Sequence, residues 1–478
     1  MNSAQNSKKI KWQMLAFMAF STVWGFGNVL NGFVYFNGIQ VIFSWILMFA
    51  LYFVPYALMV GELGSAFKNS GGGVSSWVHD TMGSKLGYYA GWTYWACHIT
   101  YIASKSSGGL KALGWAIFRN AETYDTFPTL AVQLVTLGVL LLFAFIASRG
   151  LKPLKSLTTI AGSSMFVMSL LFIVMMFAAP VVNPNGGYVS MEFTKETLIP
   201  NFNVGYFTSL SILVFAVGGC EKISPYVNKV ENPAKGFPKG MIALAIMVVV
   251  CAILGTIAMG MMFDPNEINA TKESFTSYKA NGAYWAFQKL GQYYGLGNSL
   301  LVIYAICNMI GQLATLVLSI DAPLRMLLDN EKTQKYIPNA LLKKNQYGAY
   351  VNGILMVVIL SGGIILIQSV VPGAADVLAQ LTKLNSVCMP LRYCWVFVAY
   401  IALRKAYKTI HADYRFVKHQ GPAFFFGWWC LIITLACCIM GMYDEDTFTM
   451  ILNIATPCVL TALGLIMPAI AKRQGKGA

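Results

Sequence analysis

The sequence predicts an all-α integral membrane protein with about twelve transmembrane helices, and three observations carry that reading. Of the 478 residues, 57% are hydrophobic and only 11% charged, with a mean hydropathy of +0.59. A soluble domain is nearer a quarter charged, so this chain lacks the polar surface to stay dissolved. Apolar runs of about 20 residues, the length that crosses a bilayer core, recur from end to end. Finally, the basic residues segregate between alternate loops.

The spans are expected near 12–36, 40–66, 86–118, 128–148, 157–180, 205–228, 241–263, 296–327, 349–370, 377–403, 422–442 and 449–471. No small-residue cleavage site follows the first, which is therefore expected to stay as a span and not to leave as a signal peptide. The longest hydrophilic interruptions are 181–204, 264–282, 328–348 and 404–421. Within 264–295, the aromatic stretch "GAYWAFQKLGQYYG" fits an interfacial helix outside the membrane better than a further span. The whole chain, 1–478, reads as one transporter domain: a first repeat over 1–180, a second over 205–403 and two extra helices over 422–471.

The net charge of +15 could indicate nucleic acid, but its placement argues against that partner. With the N-terminus in the cytoplasm, that side receives Lys8, Lys9, Lys11, Arg149, Lys152, Lys155, Arg325, Lys343, Lys344, Arg404, Lys405 and Lys472, among others. The opposite side keeps Arg119, Lys195, Lys272, Lys279 and Lys289, with acids such as Glu122, Glu192, Asp264, Asp444, Glu445 and Asp446. This bias places both termini in the cytoplasm. The ten cysteines all fall inside apolar runs, without metal-ligand spacing, and read as small core residues rather than disulfides.

Two spans are interrupted in a comparable way. The first contains "VWGFGNV", with Gly25 and Gly27 flanking Phe26; the sixth contains "FAVGGCEKISPY", with Gly218 and Gly219 at similar depth. Each opens one of two five-span halves. A broken helix leaves backbone groups unpaired, which is tolerable within a membrane only where they face protein, water or a ligand. Either break alone suits close helix packing. The matched pair, with a charge beside the second, points to a substrate site at a repeat interface.

Glu221 follows the second break directly. A carboxylate at mid-bilayer costs about 2.5–3.5 kcal/mol even on lenient scales, so it is a functional candidate, with pairing to the neighbouring Lys222 as the bland alternative. Lys105 and Lys111 on the third span and Arg392 on the tenth are further intramembrane charges, while Lys383 snorkels. For Lys105 a structural pair with a carboxylate weighs slightly more than contact with an anionic substrate; His98 reads as a satisfied core histidine. "KNSGGGVSSW" (68–77) lacks the Gly-Lys-Ser/Thr ending of a phosphate loop. Nothing supports ATP hydrolysis or other enzymatic chemistry, so transport would be secondary.

At these motifs the chain resembles the amino acid–polyamine–organocation (APC) superfamily of permeases, in the branch that holds glutamate/GABA, arginine/agmatine and tyrosine/tyramine antiporters. "VWGFGNV" is similar to the family's Gly-x-Gly break. "VPYALMVGELGSAFKNSGGGVSSWV" is similar to its glycine-rich stretch after span two, without the usual proline. "GGCEKISPYVNKVENPAKGFPKG" is similar to its span-six glutamate followed by Asn-Pro. The resemblance implies a LeuT-type five-plus-five inverted repeat with two C-terminal helices. It implies that a substrate carboxylate meets the amides of Gly25, Phe26 and Gly27, and that its ammonium meets carbonyls of Val23, Phe215 and Gly218. Phe215 would cover the substrate, Tyr101 would contact it, and Glu221 would serve gating and proton sensing. Phe26 departs from the family's small hydroxyl residue, with Asn28 beside it as a substitute donor. The fifth span lacks the lysine some relatives use in place of sodium, which leaves sodium or proton coupling open.

The resulting expectation is a multi-pass plasma-membrane transporter that exchanges an amino acid for a related amino acid or its decarboxylated amine by alternating access. It needs no cofactor, and its partners are the bilayer and the small substrate; a homo-oligomer is compatible with the chain. A proton-coupled symporter or uniporter is the nearer alternative, and a nutrient sensor or channel on the same scaffold the farther one. Lysines in the spans suggest anionic substrates and Glu221 cationic ones, so the two cancel.

Overall fold

The computed structural model describes residues 9–370, 387–444 and 446–476. Lys8, Lys383, Glu445 and the 377–386 part of the expected tenth span lie outside the described residues. The described chain is all-helical apart from an isolated bridge between Ile10 and Val230. Eleven helical segments are long and apolar enough to cross a membrane. The helix Ser84–Phe118, 35 residues long, supplies the third crossing in the expected order; its polar side chains lower its hydropathy. This is the APC-type membrane fold the sequence predicts.

The first span, Trp12–Tyr35, is two helices, Trp12–Val23 and Phe26–Tyr35. Trp24 and Gly25 between them are extended, with φ of −128° and −136°, so the interruption lies just before Phe26 and Gly27 begins the next helix turn. The sixth span, Val204–Lys229, breaks after Val217. Gly219 takes a φ of +106°, a backbone shape glycine adopts without penalty, and the chain continues as a tight 3-10 helix over Cys220–Lys229. The charged half of "FAVGGCEKISPY" thus completes the crossing while buried: Glu221 and Lys222 are 0% and 2% exposed.

The second span, Gly38–Ala66, passes through a π-helical stretch, Phe49–Phe53. Pro55 follows it, and the wider turn accommodates the amide hydrogen that proline lacks. The fifth span (Leu151–Val182) and seventh span (Pro233–Gly260) pack against the first. The eighth span (Ser299–Leu328) packs along the third. The twelfth, Thr447–Arg473, is the most peripheral, with Phe448, Ile451, Ile454 and Val459 exposed where lipid would lie. All ten cysteines are unpaired. As the aromatic stretch in 264–295 suggests, Lys272–Tyr293 forms a non-spanning helix; it lies against Phe26–Tyr35 and the eighth span.

The glycine-rich loop after the second span buttresses the sixth. A Cβ on Gly73 would stand 2.3 Å from Ser224 Oγ and 2.9 Å from the Pro225 nitrogen, so only glycine lets the loop approach the 3-10 helix. Two ion networks lie at the same end of the molecule. Glu62 of the second span pairs with Arg404 of the tenth span, Val387–Lys405, at 3.1 Å, both 2% exposed, and accepts the Phe416 amide at 2.8 Å. Arg325 reaches Asp321 at 2.6 Å and Asp329 at 3.2 Å; the Tyr226 hydroxyl donates to Asp321 at 2.6 Å, and Lys344 and Tyr350 donate to Asp329. Neither Glu62 nor Asp321 stood out in the sequence as a buried charge.

Asp329 lies just past the eighth span. Burial alone would raise its carboxyl, but Arg325, Lys344 and Tyr350 hold it below the usual aspartate range. A carboxyl lowered in the folded state lends stability above its unfolded value, about 3.9. That stability is lost as pH falls toward the folded value. Asp329→Asn is expected to lower the melting temperature of the detergent-purified protein near neutrality and to blunt its fall between about pH 5 and 3. An unchanged melting curve across that range would contradict the network's role.

Candidate functional site

A cavity of about 410 Å³ opens where the two interruptions face each other. It runs from Ser21, Gly219 and Lys222 along the third and eighth spans to Asn31, Lys111 and the Lys272–Tyr293 helix. It stops short of the ion networks above, where Ile10 and the chain after the sixth span exchange backbone bonds of 2.9 and 2.8 Å.

The breaks are held together by one side chain. Asn28 Nδ2 donates to Val23 O and to Ala216 O, both at 3.1 Å. Thr22 Oγ1 reaches Gly219 O at 3.4 Å, and Thr315 Oγ1 of the eighth span donates to Ser21 O at 2.9 Å. Asn28 is therefore engaged in closing the backbone rather than free to replace a missing hydroxyl donor. The amides of Phe26 and Gly27 sit in the first turn of their helix, where no carbonyl one turn earlier accepts them. They lie at its positive end.

Of the expected substrate contacts, Val23, Gly25, Gly27, Tyr101, Phe215 and Gly218 line this cavity. The Phe26 side chain does not. Its ring is fully buried among Phe172, Phe287 and Tyr304, at 4.7, 4.9 and 5.7 Å, so its side chain anchors the helix. Val23 O already accepts from Asn28, and Phe215 O from the Gly218 amide at 3.3 Å; each keeps a second lone pair. Cβ atoms built on Gly25 or Gly27 meet nothing within 4 Å, whereas one on Gly218 would stand 2.1 Å from the Tyr393 ring.

Glu221 does not line the cavity. Its Oε2 accepts from the Tyr56 hydroxyl and its Oε1 lies 3.7 Å from Arg392 Nε. The pairing with Lys222 weighed from sequence is replaced by this one, because successive residues of a 3-10 helix project about 120° apart. Lys222 Nζ instead donates to Ser319 Oγ at 3.0 Å. Arg392 also contacts His98, which is fully buried. The consistent tautomer has Nδ1–H donating to Tyr94 O and Nε2 accepting from Arg392 at 3.1 Å. His98 is a satisfied core histidine.

Lys105 pairs with no carboxylate among the described residues; its Nζ donates to Gln312 Oε1 at 3.0 Å. Gln312 Nε2 donates to Asn308 Oδ1 at 3.3 Å, and Asn308 Nδ2 to the Tyr284 hydroxyl at 2.8 Å. These amides, like Ser319, are ordinary residues in a sequence and carry no signal until the fold brings them to the lysines. The electrostatic balance is one-sided. Lys105, Lys111, Lys222, Lys279 and Arg392 line the cavity, and no described lining residue is Asp or Glu. A larger cleft of about 500 Å³, beyond Arg392 between the third, tenth, eleventh and twelfth spans, is almost wholly apolar and offers a zwitterion little to hold.

A family model described as amino acid permease matches residues 10–467. The chain belongs to the amino acid permease family. It is a multi-pass membrane permease for amino acids, not an enzyme. The permease is 46% identical over 484 residues to the aspartate/glutamate permease AcaP of Lactococcus lactis subsp. cremoris, covering 99% of this chain and 97% of that protein. It is 22% identical to a probable agmatine/putrescine antiporter, AguD, of Lactococcus lactis subsp. lactis, over 76% of this chain and 73% of that one. A glutamate/gamma-aminobutyrate antiporter of the same subspecies is 21% identical over 48% of this chain and 45% of its own length.

Gly27→Val is expected to leave the permease folded, since the new side chain enters open space, while weakening substrate binding at least about tenfold. Gly218→Ala is expected to destabilise it by roughly 1–3 kcal/mol through overpacking on Tyr393. Binding titrations and thermal unfolding on the two purified variants separate the outcomes; a Gly27→Val protein with unchanged affinity would move the site elsewhere.

Proposed function

We propose that the permease is a secondary transporter for acidic amino acids, of the aspartate or glutamate kind, in the plasma membrane with both termini cytoplasmic. The observation that carries this reading is the set of cationic side chains around a cavity without a described acidic one. An anionic side chain gains there what a neutral or cationic one would not. The name of the 46% identical relative points the same way. Sequence leaves anionic and cationic substrates balanced; Glu221 does not line the cavity and is engaged by Tyr56 and Arg392, which removes the cationic side of that balance.

In this reading the α-carboxylate meets the first-turn amides of Phe26 and Gly27, and the ammonium meets the second lone pairs of the Val23 and Phe215 carbonyls and Gly218 O. Tyr101 and Phe215 flank the substrate. Transport proceeds by alternating access of two five-span repeats, 1–180 and 205–403, with 422–471 outside the pair. With the termini inside, a cavity reaching the Lys272–Tyr293 helix and closed near Tyr226 and Arg325 is the outward-facing form. The cycle is an exchange for another acidic or zwitterionic amino acid; a polycationic counter-substrate would meet like charge. Glu221 is the gating group, because its ties to Tyr56 and Arg392 join the sixth span to the second and tenth.

Proteoliposomes loaded with aspartate are expected to take up labelled aspartate or glutamate, with arginine and putrescine not competing. Uptake into empty vesicles as fast as into loaded ones would contradict exchange, and uptake of arginine would contradict the substrate class. Glu221→Gln is expected to reduce turnover with substrate affinity kept within a few-fold. Unchanged turnover would remove the gating assignment.

A further inference from the structure

Three carboxylates are buried within the described helices, and each is matched to an arginine. Glu62 pairs with Arg404 at 3.1 Å, Asp321 with Arg325 at 2.6 Å and Glu221 faces Arg392 at 3.7 Å. No described carboxylate is left for Lys105 or Lys222. Both lysines nevertheless lie against the same aromatic ring: the Lys105 ammonium is 4.9 Å and the Lys222 ammonium 4.8 Å from the centre of Tyr101. Lys222 is 2% exposed and has Ser319 Oγ as its hydrogen-bond acceptor. Lys105 has Gln312 Oε1, itself held by Asn308 and Tyr284.

An ammonium has three donors, so each lysine keeps donors to spare. Two like charges around one ring in a low-dielectric site repel each other. The Tyr101 face offsets part of that cost through its quadrupole, but not the missing negative charge. A carboxylate placed between them would relieve the repulsion and use the spare donors, and charge-assisted bonds of this kind are the strong ones. The other end of an amino acid is already provided for at the two helix breaks, so the lysines are free for its side chain.

We infer that Lys105 and Lys222, both lying against the Tyr101 ring, form the receptor for the side-chain carboxylate of an acidic amino acid. They thereby set the discrimination of the acid from its amide. This rests on the acidic-substrate reading above. Gln312 and Ser319 are positioning residues: they hold the two ammonium groups toward the cavity when no substrate is bound. Lys222, the residue beside the gating glutamate, thus has a role distinct from it. The sixth span presents a carboxylate to Arg392 in the helix bundle and an ammonium to the substrate from adjacent positions.

The test is a comparison of L-aspartate with L-asparagine as competing substrates in proteoliposomes, for wild-type protein and for Lys105→Gln and Lys222→Gln. Wild-type is expected to prefer aspartate at least about tenfold, and each variant to reduce that preference to within about threefold. The loss should fall on KM for aspartate, with kcat changed less. Lys105→Gln replaces a part-buried side chain and is expected to fold even where Lys222→Gln does not; Lys222→Arg, which keeps the charge, should retain the preference for aspartate. A wild-type preference that survives unchanged in the Lys105→Gln and Lys222→Gln proteins overturns this assignment while leaving the acidic-substrate reading intact. A wild-type protein that takes up asparagine as readily as aspartate overturns both.

Discussion

The amide of Asn28 ties the two interrupted helices together, and the rest of the site depends on that tie. Its Nδ2 donates to Val23 O, across the first break, and to Ala216 O, before the second. A bilayer offers no water to unpaired backbone groups, so neither break could persist at this depth alone. Joined by Asn28, and by Thr22 and Thr315 on either side, they become one polar surface inside an apolar bundle. The amides and carbonyls that remain unspent face a common space, and that space is the cavity.

Charge is distributed around this surface by type. Arginine, with a planar fork that suits a carboxylate, is used for the permanent pairs Glu62–Arg404 and Asp321–Arg325 and faces Glu221 from the tenth span. Lysine, a compact charge on a flexible stem, lines the cavity without a described carboxylate partner at Lys105 and Lys222. The pairs join spans two, six and ten and brace the end of span eight, so they are expected to respond to motion of those spans. In the proposed reading, binding and gating are carried by different residues even where, as at Glu221 and Lys222, they are adjacent in sequence.

Most of the fold was legible because the bilayer enforces it. The apolar runs gave the spans, and the glycine pairs gave both breaks to within a residue or two, since only a few residue types fit an interrupted helix. The cavity lining was legible as backbone: Val23, Gly25, Gly27, Phe215 and Gly218 all line it, and Tyr101 joins them. What escaped was side-chain direction. Phe26 turns its ring into the core, and Glu221 reaches Tyr56 and Arg392 rather than its neighbour, because helix phase at a break cannot be counted from a periodic pattern. Glu62 and Asp321 were overlooked for a related reason. Their arginines are respectively far away in sequence and one helix turn on, and apolar flanks hid both acids. Gln312 and Ser319 give no signal until the eighth span is laid against the third and sixth.

In the proposed reading, unbalanced cationic charge in the cavity selects an anionic amino acid. Direct binding of L-aspartate, L-asparagine and L-arginine to the purified, detergent-solubilised permease tests it without reference to transport mode. Aspartate is expected to bind at least about tenfold tighter than asparagine, with no measurable arginine binding. Arginine binding as tight as aspartate, or tighter, would contradict it.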